Sequence, residues 1–135
     1  MKIALLDLNH MTLGVHTNTV PLGIGLIARY LEKTLKQKFN IRMFKDPVRF
    51  QKAIEDWQPD ILGISQYAWN SELNLWMSGM VKKDNPDCLV VAGGPNLYFS
   101  DEEKLSYLKR YPQVDLCVSY DGEMPFTEIV KRLID

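Results

Sequence analysis

The sequence predicts an α/β fold, a doubly wound, five-stranded parallel sheet with helices on both faces in three α/β/α layers. Three observations predict it. Apolar strand-like runs alternate with amphipathic helical patterns five times along 135 residues. The stretches between successive runs carry helical periodicity, and a helical crossover joins parallel neighbours with a right-handed turn. The first run, Ile3 to Leu8, is almost wholly apolar, as a strand buried on both faces must be.

Each element follows from its residues. After a polar loop, Pro21 opens a helix carrying Leu22, Ile24, Leu26, Ile27, Tyr30, Leu31 and Leu35; proline costs nothing at a first helical position, where the N–H has no intrahelical partner. Phe39 to Phe44 is interrupted by Asn40 and Arg42 and suits an edge strand. Asp46-Pro47 reads as cap and first turn of a helix with Phe50, Ile54 and Trp57 at helical spacing. Pro59-Asp60 ends it, and Ile61 to Ile64 is the third strand. Ser71 is placed to cap the next helix, whose stripe Leu73, Trp76, Met77, Met80 and Val81 reads as core packing. Asn85-Pro86 turns the chain into the fourth strand, Cys88 to Ala92. Ser100 and Glu103 have capping-box spacing before a short helix with Leu105 and Leu108. Tyr111-Pro112 closes that helix, Val114 to Val118 is the fifth strand, and a last helix begins near Pro125 with Phe126, Ile129, Val130 and Leu133 on one face.

A weak second strand at one edge points to the flavodoxin-like (Rossmann-like) strand order 2-1-3-4-5. The length suits one domain, residues 1–135, burying roughly two-thirds of the surface of its unfolded chain. A net charge of −1 offers no electrostatic footprint for nucleic acid or an anionic membrane. No apolar run approaches the roughly 20 residues of a spanning helix, and Met1 to Leu6 is too short for a signal peptide. Cys88 and Cys117 sit far apart in apolar runs and read as buried free thiols of a cytoplasmic protein. No C-x-x-C and no Cys/His cluster points to a zinc or iron–sulfur centre held by this chain.

In an open parallel sheet, ligands bind beyond the carboxyl ends of the strands, where the strand order reverses. Four segments fall there: Asn9 to Val20, Ser65 to Asn70, Gly93 to Asn96, and Ser119 to Glu123. Gly93 and Gly94 directly follow an apolar strand; they leave bare backbone for a flat or phosphate-bearing ligand, or serve a turn needing positive φ. Pro95 and Asn96 continue that loop. The first loop, unusually long for a compact domain, carries Asn9, His10, Thr12 and His16; the histidines suit metal or proton work, or plain solvation. Thr17-Asn18-Thr19 caps the following helix or holds an anion there. Gly23 and Gly25 weaken a free helix by about 1 kcal/mol each, which suggests close packing or close approach of a ligand. Ser65 followed by Tyr67 and Trp69 suits a pocket wall, although aromatics there also serve a core or a partner domain. Tyr120-Asp121-Gly122-Glu123 reads as a turn whose acids face a helix N-terminus. No nucleophile–base pair, Walker-type loop or usefully spaced pair of carboxylates is present. The chain reads as a binding module without catalytic residues of its own.

Over nearly its whole length the chain resembles the N-terminal cobalamin (vitamin B12)-binding domain of cobalamin-dependent radical-SAM enzymes. The resemblance is carried by Thr19 to Leu26, Pro59 to Ser65, Val90 to Pro95, and Val114-Asp115 through Gly122-Glu123 to Pro125-Phe126. The wider family carries D-x-H-x-x-G after the first strand, S-x-L after the third and G-G after the fourth; its histidine is the lower cobalt ligand and the nucleotide tail slides beside the sheet. Ser65 matches the serine, with Tyr67 in the leucine position, and Gly93-Gly94 match the glycine pair. Counted from Asp7, however, Asn9 stands at the histidine and Thr12 at the glycine, while His10 comes one residue late. A cobalt–histidine bond is therefore not carried over, and no metal ligand is assigned; radical-SAM members often lack this motif.

The resemblance implies that Asn9, His10, Thr12, Ser65, Tyr67, Trp69, Gly93, Gly94, Pro95, Asn96, Gly122 and Glu123 lie around cobalamin. It also implies a radical-SAM domain in cis after residue 135, with S-adenosylmethionine and a 4Fe-4S cluster on a C-x-x-x-C-x-x-C motif, performing methyl transfer or related radical chemistry. Tyr67 and Trp69 would face the corrin or that domain. The alternative is a flavodoxin-like FMN-binding electron carrier with its phosphate at the Thr-rich loop. A receiver domain ranks lower, since Ser65 and Ser119 stand where it needs aspartate and lysine. A purely structural scaffold is the remaining reading.

Overall fold

The computed structural model describes residues 1–10, 20–97 and 100–135. Five strands alternate with five helices: β1 (Lys2–Leu6), α1 (Leu22–Leu35), β2 (Asn40–Phe44), α2 (Pro47–Asp56), β3 (Ile61–Ser65), α3 (Ser71–Asp84), β4 (Leu89–Gly93), α4 (Asp101–Arg110), β5 (Leu116–Cys117) and α5 (Glu123–Ile134). A 3-10 turn, Pro95–Leu97, follows β4. All strand pairs are parallel, and the order is β2-β1-β3-β4-β5, the flavodoxin-like arrangement with the polar second strand at an edge.

Side chains of a strand alternate between faces, and this divides the core in two. Ile3, Leu5, Ile61 and Val91 point toward Ile24 and Leu31 of α1 and Phe126 and Val130 of α5. Ala4, Leu6, Leu62, Ile64, Val90 and Ala92 point the other way, toward Phe50 and Ile54 of α2 and Leu75, Met77 and Val81 of α3. The direction in which successive strands are added to the sheet reverses between β1 and β3, and the site lies at the carboxyl end of the strands beside that point.

Several boundaries differ from the sequence reading, each for a local reason. β1 stops at Leu6 because pairing with β3 ends there, although Asp7 and Asn9 still donate N–H bonds to the Phe44 and Lys45 carbonyls. Pro21 is the residue before α1 rather than its first, and Thr17-Asn18-Thr19 lie outside the described residues. Asp46 caps α2 as expected, its carboxylate accepting from Val48 N–H at 2.8 Å and Arg49 N–H at 3.3 Å. Asn70, not Ser71, occupies the N-cap of α3, because the N–H groups of both residues turn back onto the Tyr67 carbonyl. Trp76 departs from the expected core stripe and is 58% exposed, its place on α3 taken by Leu75 and the buried polar Asn74 and Ser78. Gly93 belongs to β4 itself. The Ser100–Glu103 capping box on α4 is present in both directions. β5 shrinks to two residues because the Asp115 carboxylate takes the Val90 N–H at 2.7 Å, which the ladder would have used. α5 starts at Glu123, two residues before Pro125, and Leu133 lies outside its buried face. Both cysteines are free thiols, Cys88 buried and Cys117 half-buried. Among the described residues no helix is long and apolar enough to cross a membrane.

Candidate functional site

Because the sheet is parallel, residues level with one another on neighbouring strands form rungs across it. Leu5, Gly63 and Val91 make one such rung, all on the face covered by α1 and α5. Two residues further toward the strand ends, Ser65 pairs with Gly93 on the same face. A cavity of about 280 Å3 opens between these rungs and the two helices. Its depth is lined by Leu5, Gly63, Val91, Ile24 and Phe126, its mouth by Ser65, Tyr67, Gly93, Gly94 and Pro95 on one side and Tyr120, Asp121, Gly122 and Glu123 on the other.

The two adjacent glycines turn out to do different work. Gly94 has φ +111°, and a Cβ there would lie 2.9 Å from both the backbone N and O of Gln66. That approach is pinned by two hydrogen bonds, Gln66 N–H to the Gly93 carbonyl at 2.6 Å and Asn96 N–H to the Gln66 carbonyl at 3.0 Å. The turn therefore demands Gly94 irrespective of any ligand. Gly93 is free of that demand. A Cβ on it would make only ordinary contact with Val118, 3.8 Å from the carbonyl and 3.9 Å from the side chain. Its missing side chain leaves room in the cleft rather than in the packing. Gly63 is a packing glycine, since a Cβ would sit 2.7 Å from Leu5 and 3.2 Å from Phe126. On α1, a Cβ on Gly23 would meet only the Tyr67 hydroxyl oxygen at 4.0 Å, and one on Gly25 would meet nothing within 4 Å. Close helix–sheet packing thus accounts for neither.

Tyr67 reaches from the end of β3 toward the start of α1 and stacks on Trp69, with ring centroids 4.6 Å apart and planes within 10°. Trp69 remains 59% exposed, so the pair forms a platform beside the mouth. Buried asparagines hold the platform. The Asn70 side chain accepts the Tyr67 N–H at 2.9 Å and donates to the Asp7 carboxylate at 3.2 Å, while Asn74 donates to the Ser65 carbonyl at 2.6 Å.

Of the twelve residues singled out from the sequence, seven line the cavity: Ser65, Tyr67, Gly93, Gly94, Pro95, Gly122 and Glu123. Trp69 joins them through its stack on Tyr67. Three do not line it. Asn9 is buried with its backbone against Lys45, His10 is exposed, and Asn96 is exposed with its N–H spent on Gln66. Thr12, like His16, lies outside the described residues. Sequence reasoning missed the floor of the cavity, because Leu5, Ile24, Ile27, Val91, Val118 and Phe126 look like any core residue until the helices are docked. It placed Tyr120 and Asn70 in loops at the carboxyl end of the sheet but did not read the left-handed φ of +61° at Tyr120 or the burial of Asn70 and Asn74.

Burial raises the Asp7 carboxyl above the ordinary 3.8, opposed by the positive charge of Lys45 and the hydrogen bond from Asn70. A carboxyl that holds its proton more tightly when folded than when unfolded loses stability on ionising. Asp7 should therefore contribute a decline in stability as pH rises from about 4 through its raised pKa, levelling above it. Asp7→Asn keeps an acceptor for Asn70 and removes the charge, so the decline should vanish from urea midpoints measured across that window. An unchanged slope in the variant would assign the decline to another group.

The family model of the B12 binding domain matches residues 11–130. The chain is 31% identical over 122 residues to a 2-(S-pantetheinyl)-carbapenam-3-carboxylate methyltransferase of Streptantibioticus cattleyicolor, covering 86% of this chain and 17% of that protein. It is 30% identical over 122 residues to the cobalamin-dependent radical SAM methyltransferase TokK of Streptomyces tokunonensis, with the same coverage of 86% and 17%. An uncharacterized methyltransferase of Pyrococcus horikoshii is 26% identical over 125 residues, 88% of this chain and 26% of that protein. The chain thus spans between about a sixth and a quarter of the length of these relatives.

Proposed function

Since this chain belongs to the B12 binding domain family, we propose that it holds cobalamin at the carboxyl end of its sheet, with the corrin over the mouth and the nucleotide arm in the cavity between the sheet and α1/α5. The observation that carries this reading is the open space beside Gly93, level with Ser65, in a cavity of about 280 Å3. That volume lies just below the usual range of small-molecule sites, which suits part of a ligand better than a whole macrocycle. Ser65 offers one hydroxyl where the arm enters, and the Tyr67–Trp69 stack offers a flat apolar surface to the corrin. Glu123, Gly122, Pro95 and Asn96 would complete the rim. Asn9 and His10 follow β1 on the side that would lie under the cobalt, and no axial ligand is assigned to them or to Thr12.

When bound, cobalamin supplies a cobalt centre able to carry a methyl group. The residues of this chain bind and orient it and shield its lower side. The remainder of the protein would be a radical-SAM domain in cis, following a B12-binding unit at residues 1–135 and using S-adenosylmethionine and a 4Fe-4S cluster for methyl transfer or related radical chemistry. The names of the two relatives at 30% identity or above, and their much greater length, support that part. Free Cys88 and Cys117 suit a reducing, cytoplasmic location. The alternative FMN carrier would place its phosphate at Thr17 to Thr19, which lie outside the described residues.

Titration with hydroxocobalamin tests the reading. The corrin absorption spectrum should shift to saturation at one equivalent. A spectrum that does not move, with no corrinoid retained on dialysis, would overturn it.

A further inference from the structure

The cavity changes character with depth. Every polar side chain lining it, Ser65, Tyr67, Tyr120, Asp121 and Glu123, belongs to the strand ends, to the loop after β5 or to the first residue of α5. Below the Ser65–Gly93 rung the lining side chains are hydrocarbon, Leu5, Ile24, Ile27, Val91 and Phe126, with the Val118 side chain beside Gly93 at the level of the rung. The strand backbone beneath that rung adds nothing polar, because Leu5, Gly63 and Val91 lie on strands paired on both sides within the sheet, and the Val118 carbonyl stands higher, beside Gly93. A ligand group that passes the rung and reaches Leu5, Gly63 and Val91 meets neither a donor nor an acceptor on those strands.

We infer that this floor discriminates among corrinoids by the polarity of the nucleotide base, favouring a benzimidazole-type base over a purine. The inference rests on the reading that the nucleotide arm enters this cavity. The benzo edge of dimethylbenzimidazole carries only carbon and hydrogen and can be buried without loss. Adenine presents an amino group and ring nitrogens on the corresponding edge, and each must surrender its water with no partner in exchange. A buried group left unpaired in this way weakens binding by about tenfold to a hundredfold.

Three corrinoids bound to the wild-type chain provide the test, with dissociation constants from equilibrium dialysis: hydroxocobalamin, the same corrinoid with adenine as its base, and cobinamide, which lacks the base. Cobalamin should bind about tenfold to a hundredfold more tightly than the adenine form. Cobinamide should bind more weakly than cobalamin, having lost the apolar burial of the base. An adenine form that binds within threefold of cobalamin, or more tightly, would overturn the inference while leaving cobalamin binding intact. Equal affinity for cobinamide and cobalamin would overturn it too, by showing that no base enters the floor. If none of the three binds, the cobalamin reading itself fails and the inference with it.

Discussion

Gly94→Ala is expected to destabilise the fold by about 2–4 kcal/mol, through a strained backbone and a backbone clash acting together. At φ +111° an alanine is already in a region that L side chains avoid. Its Cβ would also meet the Gln66 N and O at 2.9 Å, and neither can step aside. Those backbone groups are tied by the Gln66 N–H to Gly93 carbonyl bond and by the Asn96 N–H to Gln66 carbonyl bond, so relief at residue 94 breaks the link between β3 and β4 at their ends. Gln66 is itself wholly buried, which leaves no solvent-facing route for relaxation. Urea denaturation of wild type and variant measures the loss directly. A loss below about 1 kcal/mol would mean that the turn can be rebuilt without its left-handed residue.

Gly93→Leu should have the complementary effect: the fold survives and cobalamin affinity falls by about a hundredfold or more, since the bulk of a leucine occupies space proposed for the arm. Alanine at this position meets Val118 only at ordinary contact distances, so Gly93→Ala should fold normally and bind with a smaller loss. The leucine continues past that contact into a cavity walled by Leu5, Val91 and Phe126, so its own burial favours the folded state. Retained stability with lost binding is a combination that a purely structural glycine cannot give. If Gly93→Leu folds and still binds cobalamin at wild-type affinity, the arm lies elsewhere. The adjacent glycines thus make a paired experiment, one reading out in stability and the other in binding.

Much of this was legible in the residues. The unbroken apolar runs at β1, β3 and β4 required burial on both faces, and the helical periods between them required parallel crossovers; few strand orders satisfy both. The polar Asn40 and Arg42 placed β2 at the edge, where it is found. The Asp46 cap and the Ser100–Glu103 capping box were readable because both partners lie within four residues of each other. Ser65 and Gly93 were recognisable as strand-end residues, and the family to which they belong followed from their order along the chain.

Other features could not be read from a linear pattern. Trp76 sits at core spacing on α3 and is nonetheless exposed, because the helix turns Leu75, Asn74 and Ser78 inward instead. Asn70 reads as an ordinary loop residue in the sequence, yet its side chain accepts from Tyr67 and donates to Asp7, which is 63 positions from Asn70 along the chain.

The sequence by itself determined the layers, the strand order and which loops converge, because burial periodicity and crossover handedness act locally or through topology. Only the tertiary structure decided which glycine serves the backbone and which opens the cleft, that the floor of that cleft is bare hydrocarbon, and which side chains hold the aromatic platform. Each of these depends on distances between atoms far apart along the chain, and such distances come into being only when α1 and α5 close over the sheet.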